Sequence, residues 1–172
     1  MDLVHELPAG LENSLDAAMR AERRAAACDR DLADHFAGRN LGALASLCRN
    51  LATRHEETLR EASEDSPVAD EPWLDDDARE FVLRVAGPRQ LLQVALANES
   101  EVSDLYDQLL RRDTGPMRPT AARLAERAHE AVRQLSIALE AVPAAPDWEQ
   151  LIAAGAVPAL ALGAERRVRR AP

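Results

Sequence analysis

From Asn13 to Val142 the apolar residues of the chain recur every three or four positions, and only a few breaks bearing glycine or proline interrupt the rhythm. That spacing gathers apolar side chains on one face of an α-helix, whereas a half-buried strand needs strict alternation. Alanine, leucine, glutamate and arginine dominate, aromatic residues make up only 3% of the chain, and no run of β-branched and aromatic residues reads as a strand. The first set forms helices readily and the missing set is what strands are built from, so an all-α domain is expected.

The breaks divide the rhythm into segments. A first helix is expected from about Asn13 to Phe36, with Leu15, Met19, Glu22, Ala26, Asp29, Ala33 and Phe36 on its inner stripe. After Gly38-Arg39-Asn40 a second runs from Leu41 to about Ala62, with Leu44, Leu47, Leu51, His55 and Thr58 or Leu59 inward. An acidic, proline-bearing connection from Ser63 to Asp77 leads into a short helix, AREFVLRVA. Gly87-Pro88 then marks a new start, since proline suits the first helical turn. The third long helix runs from Pro88 to Arg112, with Leu92, Ala95, Glu99, Val102, Tyr106 and Leu109 inward. Past DTGPMRPT the fourth runs from about Ala121 to Val142, with Ala122, Glu126, His129, Val132 or Arg133, Ser136 and Leu139 inward. Two helical hairpins joined by a long connection make a four-helix bundle with one crossover. A shorter fifth helix is expected within DWEQLIAAGAVPALALG, giving a bundle over 1–142 and a C-terminal helix with a basic tail over 143–172.

The net charge of −9 argues against nucleic acid as a general partner, the one basic patch being the tail ERRVRRAP. Cys28 and Cys48 are too few for a disulfide scaffold. The most apolar run, Leu151 to Ala164, is too short to span a bilayer and contains a proline and two glycines, so no membrane is expected. MDLVHELPAG has no apolar signal region, which makes the cytoplasm the expected compartment.

Charge where the rhythm calls for leucine is the informative feature. Glu22, His55, Glu99, Glu126 and His129 all fall on expected core stripes near the middle of their helices. A buried carboxylate is costly unless it is paired or ligates a metal, and several converging in one bundle are readily satisfied by a cation. Glu126 and His129, three residues apart, would share one face of their helix. Tyr106, two turns beyond Glu99, is placed to donate a hydrogen bond to a carboxylate or to serve as a core aromatic. Asp29 reads as a local helix residue. The first and third helices also align with each other, MRAERRAAACDRDLAD on LANESEVSDLYDQLLR, which pairs Glu22 with Glu99 and Asp29 with Tyr106.

These residues resemble the ferritin-like superfamily, in its rubrerythrin-like branch. ALANESEVSDLYDQLL is similar to the family's helix pattern A-x-x-x-E-x-x-A-x-x-x-Y/F, and RLAERAHEAVRQL to its L-A-x-x-E-x-x-H pattern. The resemblance implies a ferritin-like four-helix bundle with one long crossover, and Glu22, Glu99, Glu126 and His129 as metal ligands with Tyr106 behind them. It departs from the family in LATRHEETLRE, where His55 stands at the bridging-glutamate position and Thr58 at the histidine position. Val102 replaces a further glutamate of the peroxide-reducing members, and the four-cysteine iron domain is absent. The resemblance therefore implies iron, as one ion or two, with manganese or zinc as substitutes, His55 as a possible further ligand, a redox or iron-handling role, and an external electron donor. A bundle that has lost its metal and serves as a structural or interaction protein is the alternative. A homodimer is expected, because Leu151, Ile152, Val157 and Leu160 need a partner, or the bundle flank, to cover them.

Overall fold

The computed structural model describes residues 9–62, 71–115 and 117–143. Among them the chain forms an all-α bundle of five helices: α1 (Ala9–Gly38), α2 (Gly42–Ala62), α3 (Asp76–Val85), α4 (Pro88–Arg112) and α5 (Arg118–Ala141). The shorter C-terminal helix expected within DWEQLIAAGAVPALALG and the whole segment 144–172, with the apolar residues expected to need covering, lie outside the described residues.

The breaks act as the residue types dictate. Asn40 takes a left-handed conformation, φ 60°, which asparagine tolerates better than most residues. The turn is closed by bonds from the Arg39 and Asn40 amides to Phe36 and Ala37, and α2 leaves antiparallel to α1. Asp75 caps α3 by accepting from the Ala78 amide at 2.9 Å, with Asp76 and Asp77 in the first turn and Arg84 in the last, as the helix dipole favours. Pro88 opens α4, and the Gln90 side chain accepts from the Gly87 amide at 2.9 Å. Between α4 and α5 the buried Asp113 accepts from the Gly115 amide at 2.7 Å, and Arg118 bonds the Leu110 and Asp113 carbonyls.

Side-chain contacts set the topology. Tyr106 reaches Glu22 and Arg112 reaches Ser14, so α1 and α4 run antiparallel side by side. Arg54 meets Gln134 and Arg127 meets Glu61, so α2 and α5 are likewise antiparallel, although they touch only sparsely. It follows that α2 and α4 run in the same direction, and the chain must travel the length of the bundle between them. A 21-residue helix is about 31 Å long. Within the connection from α2 to α4, α3 supplies part of that span. The crossover is tied down by Trp73, whose indole donates to Asp31 at 2.8 Å, and by Val82 and Leu83 packing against the core.

The core falls into two apolar clusters. One, around Met19, Leu59, Tyr106 and Leu124, lies towards the start of α1. The other, around Leu32, Phe36, Leu51, Leu92 and Leu135, lies towards its end. Each fully buried leucine in them contributes about 1.5–3 kcal/mol. What occupies the middle is polar.

Candidate metal centre

Glu22 and Asp29 on α1, His55 on α2 and Glu99 on α4 are buried at mid-bundle, each with at most 6% of its surface exposed. On α1 the two acids stand seven residues apart, two turns on one face. His55 lies between Glu22 on one side and Asp29 and Glu99 on the other. Its Nδ1 meets Glu22 Oε2 in a very short contact, while its Nε2 is 2.6 Å from Glu99 Oε1 and 3.7 Å from Asp29 Oδ2. Tyr106, fully buried, donates its hydroxyl to Glu22 Oε1 at 2.6 Å. Two oxygens, Asp29 Oδ2 and Glu99 Oε2, are buried with no hydrogen-bond partner.

With a carboxylate oxygen at each ring nitrogen, His55 is held as an imidazolium. Burial alone would disfavour that charge, but Glu99 and then Glu22 outweigh it and raise the pKa well above the usual histidine value. Asp29 moves up as well. Burial is the main cause and the nearby Glu99 charge adds to it, with His55 opposing in part. Burial and Glu22 likewise raise the Tyr106 hydroxyl out of the physiological range. The two thiols are suppressed too: burial, then Asp29, raises Cys28, and the same causes push Cys48 up to about 12. Three carboxyl groups thus face one base. One imidazolium cannot neutralise them all, so protons or a cation must supply the rest.

The structure brings four of the expected site residues together, Glu22, His55, Glu99 and Tyr106, and leaves two outside. Glu126 is exposed, and so is His129, which meets Asp107 at 3.3 Å. The expectation that α5 turns these two inward is corrected. Its buried face is Ala121, Leu124, Ala125, Ala128, Ala131 and Leu135, one residue earlier than the expected stripe, and one residue is about 100° of rotation. In their place the structure adds Asp29, which sequence reasoning had on the inner stripe but took for a local helix residue. Its signal was available: it stands two turns from Glu22, aligned with Tyr106 in the internal repeat.

Beside His55, on the side towards α5, is a cavity of about 20 Å³, bordered by Glu22, Thr58 and Glu99 and by Arg54 and Arg127. That is room for one water-sized particle. Asp29, His55 and Glu99 each offer a donor atom, all within 4.8 Å of one another. A set of carboxylate oxygens and one imidazole nitrogen suits iron, manganese or zinc, and lacks the thiolates that would favour a softer ion.

Fold and site together define an all-α bundle with a buried carboxylate–imidazole cluster at its centre. No family model matches the chain, and no curated protein or solved structure matches it significantly.

Proposed function

We propose that this chain is a metal-binding helical bundle of ferritin-like type, whose centre takes a divalent cation, iron first, in a redox or iron-handling role. The observation that carries the reading is that Asp29, His55 and Glu99 each present a donor atom within 4.8 Å of the others in the middle of the core, while Asp29 Oδ2 and Glu99 Oε2 make no hydrogen bond. An unmatched buried acceptor costs about 1–3 kcal/mol, more when it is charged. A cation recovers that cost at both oxygens at once. A cytoplasmic homodimer served by an external electron donor is the setting that this reading implies.

The test is metal analysis of protein expressed with added iron, together with thermal melting of the stripped protein on adding iron(II), manganese(II) or zinc(II). A bound ion at 100 times its dissociation constant adds about 2.7 kcal/mol of stability. Metal-free protein whose melting none of the three ions shifts would overturn the proposal.

A second reading, a metal-free bundle acting as a structural or interaction protein, is favoured by one observation. His55 already bonds acids through both ring nitrogens and so closes much of the cluster on itself. That reading requires the purified protein to contain no metal and to keep the imidazolium whatever ion is offered.

A further inference from the structure

The cluster has two sides, and they differ in chemistry. On one side Asp29 Oδ2 and Glu99 Oε2 have no hydrogen-bond partner. On the other, both oxygens of Glu22 are already engaged, one by the Tyr106 hydroxyl and one by His55 Nδ1. A carboxylate that accepts from Nδ1–H fixes the ring's tautomer and orientation and leaves Nε2 as the coordinating nitrogen. That is the usual arrangement behind a metal-bound histidine. We infer that the centre holds a single cation per chain, ligated by Asp29, His55 Nε2 and Glu99, and that Glu22, braced by Tyr106, is a positioning residue and not a ligand. The inference rests on the metal-binding reading above and narrows it.

The far side has no free acid for a second ion: of the two carboxylates that border its cavity, Glu22 is engaged at both oxygens and Glu99 belongs to the first ion. The cavity there is walled towards α5 by Leu124, Ala128 and Ala131, which offer no donor atoms. Arg54 and Arg127 line it as well, and their charge opposes a cation. Thr58 is the one neutral polar side chain in the wall, and a hydroxyl is a poor sole ligand. Three protein donors leave positions open on the ion for water or a small exogenous ligand, as catalytic centres do and closed structural ones do not. A single ion can change charge by one electron or polarise a bound ligand, but it cannot form a bridged pair. The reaction class that fits is therefore one-electron or Lewis-acid chemistry.

Manganese(II) serves as the probe, added to stripped full-length protein and followed by metal analysis and electron paramagnetic resonance. One ion per chain at saturation, with the hyperfine pattern of an isolated ion, is the expected result. Two ions per chain, or an exchange-coupled spectrum, would overturn the inference while leaving the metal-binding reading intact. No ion at all would instead remove the reading beneath it. Two isosteric substitutions then separate ligand from positioning residue. Asp29→Asn should abolish binding over the range in which the parent saturates. Glu22→Gln should keep one ion per chain, weakened about 10- to 100-fold, with altered zero-field splitting as His55 is reoriented. If Asp29→Asn binds like the parent, or if Glu22→Gln leaves both affinity and spectrum unchanged, the assignment of roles is wrong.

Discussion

LATRHEETLRE in α2 and LAERAHEAVRQ in α5 begin alike, and the bundle buries them alike. Counting from each Leu-Ala pair, Leu51, Ala52, His55 and Thr58 are buried in one at the same positions as Leu124, Ala125, Ala128 and Ala131 in the other, and α2 buries Leu59 in addition. The segment with the more suggestive spacing, Glu126 with His129, turns both residues to solvent. The one without it supplies the imidazole at the core. What decides is the position relative to the packing face. A residue four after the leading leucine lies under the neighbouring helices in both segments. In α2 it is histidine, and in α5 it is alanine. The centre is accordingly built by α1, α2 and α4, with α5 acting as an apolar wall.

The sharpest way to break this comparison is to remove the buried imidazole. His55→Leu leaves three buried carboxyl groups without their base. Loss of one partner from a buried ion pair costs about 3–5 kcal/mol, so urea denaturation of the metal-free protein should show a drop of that size. A loss below about 1 kcal/mol, within the range of exposed pairs, would mean that the cluster does not depend on His55.

Next in size is the response to pH. The folded-state pKa of His55 lies above the ordinary value of 6.5, so its stabilising contribution is fully present below that pH and is lost as pH rises through the folded value. Asp29 has the same sign, since its folded pKa is also raised, and its contribution begins to be lost above 3.8. Metal-free protein should therefore become less stable from mildly acidic to alkaline pH, as followed by its urea midpoint. Cation affinity should run the other way, because His55 Nε2 and Asp29 must give up protons to bind. An urea midpoint that rises towards alkaline pH would contradict this proton placement.

Tyr106→Phe is a smaller change that keeps the ring and removes one donor. It strands Glu22 Oε1 in the core, and about 1–3 kcal/mol of stability should be lost. Denaturant unfolding with an unchanged slope would measure it cleanly. A neutral result would show that Glu22 finds another donor.

Much of this was legible in the sequence, and the part that was not has a definite cause. The α1 and α4 stripes read correctly because heavy side chains mark them: Met19 and Phe36 near the two ends of one, Leu92, Val102 and Leu109 along the other. Glu22 and Glu99 stood out as charges interrupting those marks. α5 offered no such marks. Its buried face is mostly alanine, and alanine is also common on exposed helix faces, so a stripe one residue away fitted the apolar pattern as well. Asp29 was missed for another reason. A short acid in a charged stretch, CDRDLAD, looks like an ordinary surface residue until the neighbouring helix places a histidine beside it. The breaks were read to within a few residues because Asn40, Asp75 and Pro88 act locally and need no partner helix.

The smallest expected effect tests the comparison from its quiet side. Glu126→Ala and His129→Ala change exposed side chains, and the second gives up the 3.3 Å approach of His129 to Asp107. Exposed pairs of this kind contribute little, because water screens them and two side chains lose rotamer freedom to form them. Alanine is also a better helix former than histidine, which offsets part of any loss. Each variant should therefore unfold within about 0.5 kcal/mol of the parent and keep the parent's metal content. The paired measurement is the informative one. If His129→Ala matches His55→Leu in cost, α5 has been read on the wrong face and its Glu-x-x-His spacing belongs to the centre after all. If it is silent, the imidazole that matters is the one in the segment whose spacing gave no hint of it.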